Sequence, residues 1–130
     1  MKNLLFTFLF VTFFHLAQGQ SVSYAGKADT VTYEKAEVKP EFLGGYNEFI
    51  KFIGENYKAP DVEGLSGVVK VTFVIEVNGR VTNIKVVQDL GSGAGDEAIR
   101  VLKLCPIWSP GEVEGERVRV KMELPITIRN

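Results

Sequence analysis

The chain has 130 residues, 45% of them hydrophobic, which is enough for one ordinary domain. Its formal net charge of −1 lacks the excess of basic residues typical of a nucleic-acid-binding surface. Its single cysteine, Cys105, excludes a disulfide framework within one chain. The one histidine, His15, lies in an apolar leader, so the remainder offers neither a Ser-His or Cys-His nucleophilic pair nor a zinc site built from His and Cys.

Residues 1–19 have the pattern of a secretory signal peptide. Lys2 is the only charge, and Leu4 to Ala17 is apolar apart from two threonines and His15. As a helix this run would span about 21 Å, less than the ~30 Å hydrocarbon core of a bilayer. Ala17-Gln18-Gly19 supplies a small-x-small cleavage site, so we predict export. The alternative is an uncleaved membrane anchor.

Residues 20–37 are predicted to be a short tether, and residues 38–130 the folded domain. The tether consists largely of Ser, Thr, Ala, Lys and Asp without a clear period, and Pro is absent between Gln20 and Lys39. Fully extended, residues 20–36 would reach at most about 60 Å.

The first predicted helix ends around Asn56. One face carries its apolar residues at helical spacing: Tyr46, Phe49, Ile50, Ile53 and Tyr57. Val68 to Val77 then alternates with period two, and Asn78-Gly79 predicts a tight hairpin turn. The return strand runs from Arg80 to about Gln88. Val81 has the opposite parity to the other apolar residues, so a bulge or a strong twist is expected near the turn.

A second helix is predicted from Glu97 to Leu104, with Asp96 as its N-cap and Pro106 ending it. A long alternating strand closes the chain, and Pro125 within it favours a position at a sheet edge. Its apolar positions are Val118, Val120, Met122, Leu124, Ile126 and Ile128.

The predicted element order is α-β-β-α-β, which indicates an α+β fold. A short helical crossover from the second strand to the third would place the third beside the first. We therefore predict a three-stranded antiparallel sheet of order 2-1-3, with two helices on one face.

Two motifs resemble ligand sites only weakly. Gly91 to Gly95 lies between a strand and a helix, as in phosphate-binding loops, but an antiparallel hairpin precedes it and Asp96 and Glu97 would repel an anion. We therefore favour a capped turn. Glu112, Glu114 and Glu116 could hold calcium, but without a calcium-loop pattern a solvated loop is favoured. No cofactor or metal is predicted.

Cys105 and Trp108 are both predicted to be structural. Cys105 lies on the apolar face of the second helix, where a buried thiol is favoured over a reactive or pairing one. Trp108 is predicted to lock the corner between helix and strand into the core, with a ligand platform as the alternative.

The last strand is the most informative feature for function. Arg117, Arg119, Lys121 and Glu123 line one of its faces. Charged residues on an edge strand either prevent aggregation or accompany an edge that accepts a partner strand, and the pattern alone leaves both open.

An ordered series of motifs resembles the TonB C-terminal domain over about residues 38–129. The segment from Gly67 to Ile75 with Asn78-Gly79-Arg80-Val81 resembles its first hairpin, and Asp96-Glu97-Ala98 its second helix. Trp108-Ser109-Pro110-Gly111 and Leu124-Pro125-Ile126 resemble its Trp-x-Pro element and final strand.

The resemblance implies a non-enzymatic periplasmic module that binds a segment of an outer-membrane receptor by adding it to the last strand. Inner-membrane partners would pass on the proton-motive force. The residues implied in partner binding are Arg117, Val118, Arg119, Val120, Lys121, Met122, Glu123 and Leu124. A short apolar leader and the lack of a proline-rich spacer depart from a complete energy transducer.

Two other classes of function stay open at this point. One is a soluble envelope adaptor or inhibitor-like protein without transport coupling. The other is an enzyme, whose acids and bases would have to be Glu, Asp and Lys alone. An exposed edge also permits a homodimer.

Overall fold

The computed structural model describes residues 30–130, so the predicted signal peptide and the tether residues before Thr30 lie outside the described residues. In chain order the elements are β1 (Thr30–Thr32), a 3₁₀ turn (Tyr33–Lys35), α1 (Tyr46–Asn56), β2 (Ser66–Ile75), β3 (Val81–Gln88), α2 (Ala94–Lys103), β4 (Gly111–Val113) and β5 (Glu116–Arg129).

The α+β class is confirmed, but the sheet differs from the predicted one. Its strands follow the order β1-β5-β2-β3, and β4 pairs with the start of β5. β1 runs parallel to β5, whereas the long pairs β2–β3 and β2–β5 are antiparallel. The predicted three-stranded antiparallel sheet is therefore extended to a mixed sheet of five strands. β1 and β4 were missed because three-residue strands are too short to show alternation.

Both helices cover one face of the sheet and share one hydrophobic core with it. The alternating residues of β2 supply its centre: Val69, Val71, Phe73 and Ile75 are at most 1% exposed. Leu124, Ile126 and Ile128 of β5 join the same cluster, as do Phe49 and Ile53 of α1 and Ala98, Val101 and Leu102 of α2.

The start of α2 differs from the prediction, in which Asp96 was the N-cap. The helix begins at Ala94, and Asp96 lies in its first turn. Asp89 provides the acceptor instead, because its Oδ1 accepts hydrogen bonds from the backbone N–H groups of Leu90, Gly91 and Gly95 at 2.7–3.0 Å. The Asp89 carboxylate thus satisfies amides of this loop and the first turn of the helix.

The β2–β3 hairpin turns at Asn78-Gly79, as predicted. The Glu76 N–H donates to the Arg80 carbonyl at 2.9 Å, and Gly79 has φ +80°. The irregularity expected near Val81 lies at Asn83, where the register with β2 shifts and φ is +48°. The turn is also tied to the core, because the Trp108 N–H donates to the Gly79 carbonyl at 2.9 Å.

An ionic cluster joins the end of α1 to α2. Glu97 accepts hydrogen bonds from the Lys58 N–H and from the Arg100 guanidinium, and Arg100 also donates to the Asn56 carbonyl. The Arg100 bonds hold the pKa of Glu97 down, at about 2. The cluster satisfies a carbonyl at the α1 C-terminus, where the helix itself has no donor.

The packed part of the chain extends further toward the N-terminus than the predicted boundary at Val38. Thr30–Thr32 pairs with β5, and Ala36 is only 3% exposed. The N–H groups of Glu37 and Val38 both donate to the Glu112 carbonyl, at 2.9 and 3.1 Å. Glu37 and Val38 are therefore anchored to β4.

Candidate strand-binding edge

β5 has different neighbours along its length. Its first residues, Glu116 to Val118, pair with β4, and Arg119 to Lys121 pair with β1. On the side away from β1, β2 pairs with β5 from Val120 to Arg129. Among the described residues, Met122 to Arg129 therefore has a strand partner on one side only.

The sequence-predicted partner-binding residues are thus divided among three environments. Arg117 and Val118 lie in the β4–β5 hairpin. Arg119, Val120 and Lys121 pair with Thr30, Val31 and Thr32, respectively. The open part of the edge begins with Met122, Glu123 and Leu124. The first five lie beside strands of this chain because β1 and β4, which the alternation did not reveal, pair with β5 there.

Pro125 indicates which backbone groups face the open side. It has no N–H, yet it pairs with Lys70 within an uninterrupted ladder, so its nitrogen faces away from β2. Backbone groups two residues apart face the same side of a strand. The N–H of Glu123 therefore also faces the open side.

An apolar groove of about 460 Å³ lies next to this open edge. Met122 and Leu124 of β5 line it on one side, Phe42 and Tyr46 on another, and Trp108 contributes from the core. Tyr33 and Glu34 of the N-terminal segment also line the groove, together with Lys39, Glu41 and Glu123. The groove thus combines aromatic walls with a charged margin.

The rings beside the groove form one aromatic cluster. Trp108 meets Phe49 edge-on with centroids 4.8 Å apart, and meets Phe42 at 5.5 Å and Phe73 at 6.0 Å. These separations and tilts are those that aromatic pairs favour. Phe42 was not predicted as a site residue; its only signal in the sequence was an aromatic residue seven positions before Phe49.

The opposite face of the sheet carries an ion pair that fixes Arg119. Its guanidinium donates to both carboxylate oxygens of Glu76, at 2.7 and 2.9 Å, and the Thr82 hydroxyl donates to Glu76 at 2.6 Å. These bonds lower the pKa of Glu76, with that from Arg119 the largest cause. Arg119 also donates to the Thr30 hydroxyl at 3.0 Å. A residue predicted to contact a partner therefore already contacts β1.

The other sequence motifs offer little ligand chemistry. The Asp89 carboxylate accepts bonds from the amides of the Gly91–Gly95 loop, where a phosphate would have to bind. Glu114 and Gly115 form the turn between β4 and β5. Within residues 30–130, no group of acidic, His or Cys residues is arranged to hold a metal ion.

Cys105 is a half-buried free thiol. Burial raises its pKa to about 11, against the opposing effect of the Trp108 indole. The Trp108 Nε1 atom is itself buried and makes no regular hydrogen bond with the described part of the chain.

Comparisons with known proteins give a family match and a structural match. The family model described as the Gram-negative bacterial TonB protein C-terminal matches residues 61–128. Among solved structures, the NMR solution structure of the Helicobacter pylori TonB C-terminal domain is 29% identical and covers 67% of this chain and 87% of that one, with a TM-score of 0.41. The search of curated proteins gives no match. No helix in the range 30–130 is long and apolar enough to cross a membrane.

Proposed function

Because the chain belongs to the family of TonB C-terminal domains, a non-catalytic protein-interaction family, we propose that it is a protein-binding module of the bacterial envelope. Its partner is an extended segment of an outer-membrane receptor, which adds to β5 as a further strand. The predicted signal peptide supports a periplasmic location.

The observation that carries this proposal is the open backbone edge beginning at Met122, together with the groove beside it. In an added strand, side chains alternate between the two faces of the sheet. Residues opposite Met122 and Leu124 would point to the helix-covered face, where the groove lies. Main-chain hydrogen bonds would then supply affinity, and the groove would select apolar side chains.

The test compares two substitutions at one position. Glu123→Pro removes an N–H from the open side and leaves the β2 ladder intact, whereas Glu123→Ala removes the side chain and keeps the N–H. Binding of peptides from periplasm-facing segments of the host's receptors is measured by calorimetry. We expect Glu123→Pro to weaken binding at least ~10-fold, because one main-chain hydrogen bond to the peptide is lost and the proline ring strains the added strand. Glu123→Ala should change the affinity little.

Equal binding by the Pro and Ala variants would contradict strand addition at this edge. Val120→Pro is a poorer test, although the strand pattern suggests it. Val120 is fully buried and pairs with Ile75 on one side and Val31 on the other, so its replacement would disturb the fold itself.

Coupling to transport depends on how the chain is anchored, and the intact mass of the protein from its native envelope tests this. A mass that begins at Gln20 would indicate a released adaptor that depends on a separate anchored transducer. A mass that retains Met1 would indicate anchoring by the apolar leader. The tether without proline favours the adaptor, because such a chain is a short and flexible spacer.

A further inference from the structure

Resting on the proposed function, we propose that the segment Thr30–Thr32 is an internal ligand of the β5 edge. A partner strand that runs parallel to β5 and reaches Arg119 must displace this segment. The chain thereby competes with its own partner for part of the binding edge.

The register places this segment directly before the open part of the edge. Thr30, Val31 and Thr32 lie opposite Arg119, Val120 and Lys121 in parallel orientation. The open edge continues directly from this point at Met122. The occupied and open parts are consecutive along one strand, so a partner that covers more than the open part meets β1.

Side chains reinforce the contact between this segment and β5. Arg119 donates to the Thr30 hydroxyl at 3.0 Å while it is held by Glu76. Just beyond β1, the Lys39 ammonium donates to the Tyr33 carbonyl and lies 4.7 Å from the centre of the Tyr33 ring. Tyr33 in turn lines the groove. The internal strand and the turn after it therefore reach both parts of the proposed site.

The segment can leave β5 without unfolding the domain. Thr30 and Thr32 are exposed, Val31 is half-buried, and none of the three belongs to the hydrophobic core. The anchor lies later, at Ala36 and at the hydrogen bonds of Glu37 and Val38 with Glu112. Release of residues 30–35 leaves that anchor in place, and elements with few buried contacts open most readily.

The internal strand also indicates what kind of partner fits. The partner runs parallel to β5 and carries a β-branched apolar residue opposite Val120, where Val31 lies. A hydroxyl residue opposite Arg119 would replace the bond now made by Thr30. A partner extending to Pro125 would cover the groove as well.

The first experiment uses a synthetic peptide with the sequence of residues 27–34 as the probe. It is titrated to millimolar concentration against two ¹⁵N-labelled proteins, one beginning at Gln20 and one at Tyr33, and amide shifts are followed by NMR. We expect amide shifts at Arg119–Lys121 when the peptide binds the shorter protein. The longer protein should bind the peptide at least ~10-fold more weakly, because β1 would leave the edge free in only about a tenth of its molecules. Equal affinity for both proteins, or no shift in a folded shorter protein, would overturn the proposal.

The second experiment keeps the full chain and ties β1 to β5 by a disulfide that reduction can open. In a Cys105→Ala background, Thr32→Cys and Lys121→Cys place two thiols at register partners. Neighbouring strands are about 4.8 Å apart, within the range that a disulfide bridges. We expect the peptide to bind only after reduction. Failure of the disulfide to form, or equal binding before and after reduction, would contradict the internal-ligand proposal.

Failure of this inference is distinguishable from failure of the proposed function. If receptor peptides bind equally to the two protein lengths, the edge binds receptors and the internal-ligand proposal is wrong. If only the peptide of residues 27–34 binds, and only to the shorter protein, the internal ligand is supported while the receptor assignment fails.

Discussion

Replacing Gly79 by Ala tests how closely the β2–β3 turn packs against Trp108. Gly79 has φ +80°, and a Cβ built there would overlap the Trp108 carbonyl oxygen and lie 2.8 Å from the Ile107 Cγ2 atom. The left-handed backbone costs an Ala about 1–2 kcal/mol. Moving the Trp108 backbone away would add about 1–3 kcal/mol of strain in the core, and weakening its bond to Gly79 about 1 kcal/mol. We expect a loss of roughly 3–6 kcal/mol in the free energy of unfolding.

Gly64→Ala is the matched control, because Gly64 has φ +78° and nothing lies within 4 Å of its added Cβ. It should cost only the backbone term of about 1–2 kcal/mol. Both free energies are measured by urea denaturation followed by far-ultraviolet circular dichroism. If Gly79→Ala costs no more than Gly64→Ala, the proposed packing of the turn against Trp108 is wrong.

Three further predictions concern the ionic groups and the thiol. Glu97→Gln should lower the free energy of unfolding by about 1–2 kcal/mol, since the pKa shift corresponds to at most about 3.4 kcal/mol and solvent reduces it. Because the folded-state pKa is about 2 and the ordinary value 4.5, the stabilisation is complete above pH 4.5 and disappears as the pH falls toward 2; acid titrations of wild type and variant should converge. Arg119→Lys should lose the two-pronged bond to Glu76 and about 1 kcal/mol, measured by urea denaturation with Lys121→Arg as the control. Cys105 should react with a thiol reagent at pH 8 far more slowly than free cysteine, because its pKa is about 11, and rapid reaction would contradict its burial.

The strands, helices and turn that were predicted correctly are those whose signal lies within a short stretch of sequence. The alternation from Val68 to Val77, the Asn78-Gly79 turn and the helical spacing of Tyr46 to Tyr57 each reflect the period of one element. The sequence also pointed to β5 and to its side-chain alternation.

The missed features depend on contacts between distant residues. Thr30–Thr32 forms a strand because Arg119–Lys121 lies beside it, and nothing within three residues indicates this. Asp89 caps the glycine loop through a bend that brings it to Gly95, whereas Asp96 looked like the N-cap from its position alone. The groove could not be inferred for the same reason, since its walls come from residues more than eighty positions apart, such as Phe42 and Leu124.

The position of Trp108 gives the domain an intrinsic optical reporter. It is the only tryptophan in the chain, it is 4% exposed, and it lies beside both the groove and the hairpin turn. A ligand side chain that entered the groove would change the polarity and the quenchers around one indole ring. Emission and acrylamide quenching would therefore follow occupancy of the groove in the unlabelled protein, and unfolding would produce a separate shift to longer wavelength.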